Sequence, residues 1–491
     1  MNATSMHPPI PATKPVDDAE PAVMQRLNTV FAAQKAAFLR DPYPSFAERE
    51  RRIRALVATV LKHRVAMKEA LHSDFGWHPE AVADLIEILG VAGRADYVLA
   101  ELPRWMADEE RPLDTAMWGS ARATVRHQPK GVIGNMVPWT FPFDIAFGPL
   151  SDMLAAGTRV ILKPSDLGPA CGALIETMIA ESFDADLVAV VNGGIDLARA
   201  FPTLAWDHLM FTGSPAVGRS VMAAAAQNLV PVTLELGGKC PAIVAADAVN
   251  EETVGNIIGM KLLKSGQVCV APDHVYVPRA DLERFVALAG EHFATALPGH
   301  SSGKDATGMI SQRHLDRIVA MVEQARAAGC RVVQPEAGAD TDRTTRRTPL
   351  TLVIDPTPDL DVSRDEIFGP ILPILPYDDI EAVVGAINAG ERPLALYVYT
   401  GDMAVADHVL ARTTSGGACV NLSLLHGALA PLPFGGVGNS GMGRHHAIEG
   451  FREFSNPRGV FVRGTGGAID AFNPPYRTLE AMVDQAFSPA P

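Results

Sequence analysis

His208-Leu209-Met210-Phe211-Thr212-Gly213-Ser214-Pro215-Ala216-Val217-Gly218 is the stretch from which the fold can be read. The run to Phe211 predicts a strand, the Gly-Ser-Pro segment a turn, and the residues through Ala226 a helix. A phosphate fits such a turn, because helix N-terminal amides point outward and the helix dipole attracts anions. The spacing of Gly213, Ser214 and Gly218 is not that of the G-x-G-x-x-G fingerprint, so on local grounds a plain strand-to-helix connection is an equal reading.

Working outward, the same rhythm repeats. Strands are expected over 131–134, 159–162, 187–191 and 230–234, with helices over 147–156 and 169–182 between them. Strands alternating with helices predict an α/β fold with a parallel, doubly wound sheet. Upstream, 22–106 reads as helical and 123–126 as an exposed strand. Downstream a second α/β unit is expected, with helices over 254–263, 282–293 and 315–328 and strands over 274–277, 331–333 and 371–375. The polar stretch 336–347 reads as a surface loop.

At 491 residues the chain is too long for one core, so two or three domains are expected. Hydrophobic content of 47% with 20% charged residues describes an ordinary globular enzyme. A net charge of −14 and a pI near 5.5 argue against nucleic acid and against an anionic membrane surface. No run of apolar residues is long enough for a membrane span. Residues 1–21 read as a disordered arm without a secretory pattern. Five dispersed cysteines, with no C-x-x-C and no Cys/His cluster, indicate neither disulfides nor a metal site and fit a reducing cytoplasm.

The candidate chemistry centres on Cys269, in Gly266-Gln267-Val268-Cys269-Val270, and Glu235, in Glu235-Leu236-Gly237-Gly238-Lys239. A thiol and a carboxylate in small-residue turns are the parts needed for covalent chemistry on a carbonyl: the thiolate attacks and the carboxylate later activates water. Lys163 and Asp166 follow a strand end, where an acidic group can accept hydrogen bonds from a ribose diol. Asp166 would repel a 2′-phosphate, which favours NAD over NADP. The G-x-G-x-x-G string Gly436–Gly441 lacks a preceding strand and reads as a flexible loop. Gly299–Gly303 lacks the context of a nucleophile elbow. His445-His446 reads as a surface or loop pair.

Together these segments resemble the aldehyde dehydrogenase superfamily over roughly residues 22–462. The resemblance is carried by Pro138-Trp139, Leu162-Lys163-Pro164-Ser165, Phe211-Thr212-Gly213-Ser214, Glu235–Lys239, Gly266–Cys269, Glu366-Ile367-Phe368-Gly369-Pro370 and Pro433-Phe434-Gly435-Gly436. Arg392–Tyr397 and Ser440–Gly443 look like the fatty and aromatic aldehyde branch, nearest to coniferyl aldehyde dehydrogenases. The resemblance implies Cys269 as nucleophile and Glu235 as general base. It puts Lys163 and Asp166 at the adenosine ribose, Gly213, Ser214 and Trp139 at the pyrophosphate, Glu366 at the nicotinamide ribose and Phe368 beside it. It implies NAD, with NADP as the alternative, a small aldehyde substrate, and a homodimer built through a β-hairpin. The division that the resemblance implies is 22–114 and 129–235 as a Rossmann-like cofactor domain, 236–445 as an α/β catalytic domain, and 115–128 with 446–491 as oligomerisation hairpin and C-terminal segment.

The chain departs from the family pattern at three places. Thr140 stands where an Asn amide usually shares the oxyanion hole with the nucleophile's backbone N–H; losing such a donor costs about 10²–10³-fold in rate. Lys264 replaces a common Asn, where a cation either lowers the Cys269 pKa or points to solvent. The segment 427–431 is more apolar than in the nearest relatives. The competing class is a catalytically impaired relative that binds cofactor as a scaffold or regulator.

Overall fold

A computed structural model describes residues 19–488. The expected N-terminal arm lies outside the described residues except for its last three positions, which are helical: Ala19–Arg40 begins earlier than expected. Pro21 does not oppose this, because the first helical turn has no acceptor for its amides. Phe46–Lys62, Arg64–Phe75 and Val91–Met106 complete the expected helical region. Ser45 starts the first of these three, its Oγ accepting the Glu48 N–H at 3.3 Å. Ala83–Gly90 forms a π-helical stretch, a widened turn of the kind that recurs at functional sites.

Six strands form the first sheet, in the order Gly441–Met442, Val232–Leu236, His208–Gly213, Val132–Met136, Arg159–Lys163, Val188–Val190. All pair in parallel except Gly441–Met442, which runs antiparallel to Val232–Leu236. The chain builds outward from Val132–Met136 to Val188–Val190, then returns to place His208–Gly213 on the other flank of Val132–Met136. Open α/β sheets bind ligands at such a reversal, outside the carboxyl ends of the strands.

A second sheet of seven strands runs Arg331–Val333, Thr351–Ile354, Ile371–Tyr377, His274–Pro278, Pro241–Val244, Ala395–Tyr399, Gly417–Val420. Pro241–Val244, Thr351–Ile354 and Ala395–Tyr399 were absent from the expected elements. They are short and buried along their whole length, so they carry no in–out alternation by which a strand is recognised.

The expected hairpin is displaced. Asp114 caps a helical turn, Thr115–Trp118, accepting the Ala116 N–H at 2.9 Å, so the first strand lies earlier, at Glu109–Arg111. It pairs with Arg122–Pro129, which pairs in turn with Ser455–Val462. Ser455–Val462 is the outer strand of this three-stranded sheet and is exposed along most of its length.

Candidate active site

The expected cofactor residues gather at the carboxyl edge of the first sheet. Trp139 and Thr140 follow Val132–Met136, Lys163 ends Arg159–Lys163 with the exposed Asp166 just beyond, and Gly213 ends His208–Gly213. Ser214 caps helix Pro215–Ala226, its Oγ accepting the Val217 N–H at 3.4 Å. A Cβ on Gly213 would sit 2.5 Å from the Phe211 ring, so the turn closes only with glycine there. Beside it the buried Thr212 Oγ1 has no hydrogen-bond partner among the described residues. Lys163 Nζ donates to the Pro164 carbonyl at 3.1 Å.

Cys269 lies past the end of helix Glu251–Leu262, after a tight turn Leu263–Gly266. Lys264, Ser265 and Gly266 all have positive φ, at 53°, 54° and 74°. Side chains pin this turn. Ser265 Oγ donates to the Thr307 carbonyl at 2.6 Å, and Gln267 Nε2 donates to the Lys264 and Gly308 carbonyls at 3.0 Å each. The partly exposed thiol packs in an apolar cluster with Phe141, Val268, Val270 and Leu424, with Ile145 and Phe434 alongside. Burial pushes its pKa up to about 12, and the Glu366 and Glu235 carboxylates beside it push the same way; the Cys269 and Val270 amides pull it down. The resting group is therefore a thiol.

Glu235 is 3% exposed, on strand Val232–Leu236 directly opposite Gly441. Neither carboxylate oxygen has a hydrogen-bond partner among the described residues. Burial raises its pKa well above the usual range, Arg444 opposes this, and Glu453 adds to it. An unpartnered buried carboxyl is costly as structure but suits a group that must bind water and exchange a proton.

Glu366 reaches into the same space. Its Oε1 accepts the Gly238 N–H at 3.0 Å, and a Cβ on Gly237 would lie 2.1 Å from its Oε2, so only glycine admits the carboxylate there. Burial, with Asp273 second, pushes Glu366 up to about 8. The loop carrying it is tied down by Asp273, which accepts the Ile367 N–H at 2.9 Å, and by Arg317, which donates to the Glu366 and Ile367 carbonyls. Phe368, at φ 50°, stands edge-on to Trp139 with ring centroids 5.4 Å apart. The structure thus brings Cys269, Glu235 and Glu366 together and sets Trp139 and Phe368 in one aromatic group. Thr140 is buried, just ahead of helix Pro142–Ala156.

Three expectations are corrected. Lys264 does not point to solvent, and its ammonium pairs with Glu87 and not with the Cys269 thiol. It is fully buried, 3.1 Å from Glu87 Oε1, with its ammonium over the Phe75 and Phe141 rings at 4.6 and 4.2 Å. His445 and His446 lie in a loop, as one of the two expectations had it, but not at the surface: at 6% and 3% exposed they stack against each other and pack on Phe434. His445 Nε2 lies 3.8 Å from Glu235 Oε1. The Gly436–Gly441 run is no free loop either; it folds back so that Gly441 pairs with Glu235, and Arg444 beyond it donates to the Gly436 and Gly443 carbonyls. Arg444 and Glu87 went unnoticed in the sequence. An isolated charged residue carries no local sign of the group it will face.

Among known proteins, the aldehyde dehydrogenase family model matches residues 8–460. A Caulobacter vibrioides protein named "Probable coniferyl aldehyde dehydrogenase" is 42% identical, over 94% of this chain and 95% of its own. The "Coniferyl aldehyde dehydrogenase" of Pseudomonas sp. (strain HR199 / DSM 7063) is 37% identical over 93% and 95%. The structure of Staphylococcus aureus AldH in a substrate-bound state superimposes with a TM-score of 0.88 at 30% identity, covering 94% of this chain and 99% of that one.

Proposed function

The chain belongs to the aldehyde dehydrogenase family, and from that premise we propose that it oxidises an aromatic, coniferyl-type or medium- to long-chain aldehyde to the carboxylic acid with NAD. It is an NAD(P)-dependent aldehyde dehydrogenase; the substrate class, the cofactor preference and the residue roles are the proposal. The observation that carries it is Cys269 in an apolar cluster with Phe141, Leu424 and Phe434, next to the buried, unpartnered Glu235 carboxyl. The apolar walls suit a hydrophobic aldehyde, and the two titratable groups suit thiol addition followed by hydrolysis.

In this reading the Cys269 thiolate adds to the aldehyde carbon, and the proton of the thiol leaves to solvent. The resulting oxyanion is held by the Cys269 backbone N–H and Thr140. Bound NAD(P) supplies the hydride acceptor that turns the adduct into a thioester. Glu235 then takes a proton from water, which attacks the thioester and frees the acid and the thiol. The residues at the sheet edge fit the cofactor: the Ser214-capped helix start for a pyrophosphate, the unpartnered Thr212 hydroxyl, and Lys163 with Asp166 for a ribose diol. Glu366 and Phe368 would hold the nicotinamide end.

Incubating the protein with NAD and a panel of aldehydes, and following the absorbance of the reduced cofactor, tests this directly. Turnover of aromatic or long-chain aldehydes is expected. NAD binding without any turnover would instead make the chain a cofactor-binding scaffold.

Thr140 is expected to donate weakly, because its hydroxyl reaches less far than an amide. Thr140→Asn should raise kcat by about 10-fold; an unchanged or lower kcat would remove Thr140 from the oxyanion site. Asp166 is exposed, and in this reading it faces the place where a 2′-phosphate would approach. Asp166→Ser should therefore raise the NADP-to-NAD ratio of kcat/KM by at least about 10-fold, and a ratio that stays put would move the ribose contact elsewhere.

The exposed outer strand Ser455–Val462 and the helix Arg477–Phe487, which buries none of its side chains here, are the surface on which a second copy would dock as a homodimer. Sedimentation should give twice the chain mass. The five unpaired cysteines suit a reducing cytoplasm.

A further inference from the structure

The buried pair Lys264–Glu87 touches both halves of the candidate active site. Glu87 Oε1 accepts from Lys264 Nζ at 3.1 Å, in the turn that leads to Cys269. Glu87 Oε2 accepts the Phe143 and Asp144 N–H groups, both at 2.9 Å, at the start of the helix that follows Thr140. Both side chains are wholly buried. We infer that this pair is a positioning strut, fixing the Thr140 segment relative to the Cys269 turn and so setting the geometry in which the oxyanion is held. The inference rests on the reading of Cys269 as nucleophile.

Most of the two segments packs in different cores: Phe143, Phe147 and Leu150 of helix Pro142–Ala156 lie in the core on the first sheet, and Ile257, Ile258 and Leu262 in the core of the second. The cores meet where Phe141 and Ile145 pack with the second one. Beside that apolar seam one carboxylate bonds to both segments, each oxygen serving a different side. Glu87 itself comes from the π-helical stretch Ala83–Gly90. The ammonium lies over two ring faces, which replace part of the hydration it has lost.

A buried ion pair is a poor source of stability, because desolvation offsets most of the attraction and apolar residues of similar volume do as well. What it adds is direction. The carboxylate must present one oxygen to two helix amides and the other to the ammonium. Lys264 and Ser265 hold left-handed backbone conformations that non-glycine residues adopt only when their surroundings impose them. With the charge gone, apolar contact at Phe141 and Ile145 remains but the directional link is lost, and a misplacement of about 1 Å at a reacting centre costs up to about 100-fold in rate.

The test compares wild type with Lys264→Met, Glu87→Gln and the double variant, each as full-length enzyme with NAD and an aldehyde that the wild type oxidises. Glutamine keeps an acceptor for the two helix amides, so Glu87→Gln decides the matter even if Lys264→Met fails to fold. Each single change should lower kcat at least about 10-fold, with aldehyde KM and NAD Kd held within about threefold. The double variant should lose no more than either single, because the two residues act as one unit. A purely structural role would lower Tm and leave kcat alone. A folded Glu87→Gln enzyme with kcat within about twofold of wild type, losses that multiply in the double variant, or an effect confined to KM would each overturn the strut. A wild type that oxidises no aldehyde would overturn the reading beneath it, and the strut with it.

Discussion

Cys269→Ser should lower aldehyde-dependent formation of reduced cofactor by at least about 10⁴-fold while NAD binding stays within about twofold of wild type. The replacement removes one thing only. A serine hydroxyl fits the space of the thiol but ionises far less readily and is a much weaker nucleophile at neutral pH. The other nearby thiol cannot substitute. Cys240 is wholly buried, its Sγ donates to the Cys269 carbonyl at 3.4 Å, and burial pushes its pKa well above that of an ordinary cysteine. A variant that keeps more than a tenth of wild-type turnover would mean that the covalent route is wrong. Titrating NAD binding in the same preparation separates lost chemistry from lost fold.

The second large effect belongs to Glu235. Glu235→Gln should lower steady-state kcat by about 10²–10⁴-fold, yet preserve a rapid burst of about one equivalent of reduced cofactor per active site. The reason lies in the order of events. Thiol addition and oxidation do not need the carboxylate to take a proton from water; hydrolysis does. The enzyme should therefore stall as the thioester on Cys269, visible as an acyl mass on the intact protein. Loss of the burst together with the steady rate would show that Glu235 acts before oxidation. The pH profile gives a second reading. Burial, the larger influence, raises the Glu235 pKa above the usual carboxylate range, so its basic form is gained at higher pH than that of an ordinary glutamate. Wild-type kcat should climb with pH, and the limb due to Glu235 should vanish in the glutamine variant. Cys269, pushed up to about 12 in the resting site, also favours high pH for the addition step.

The parts of the site that short motifs encode were legible in advance. The strand ending at Phe211, the glycine that the turn requires beside the Phe211 ring, and the Ser214 cap are local features, decided by neighbours in sequence. Cys269, Glu235 and Glu366 were likewise marked by the small residues around them, which exist to let side chains and ligand approach the backbone. The buried strands of the second sheet were less legible, because a run such as Ala395–Tyr399, covered on both faces, shows no period.

Charged residues outside the motifs were not legible at all. Lys264 was expected to face either the nucleophile or solvent, and it does neither. Its partner Glu87 is 177 residues away. His445 and His446 have the composition of a surface turn, yet the chain folds them under Phe434 beside Glu235. Sequence alone determined the α/β fold and the family, and singled out the candidate thiol and carboxylates, because backbone propensity and steric room are local properties. Tertiary structure alone decided which charges are desolvated, which oxygens stand unpartnered among the described residues and which helix start is tied to the Cys269 turn. Those depend on what distant segments bring to within a few ångströms, where electrostatic interactions are strong enough to set a pKa or fix a position.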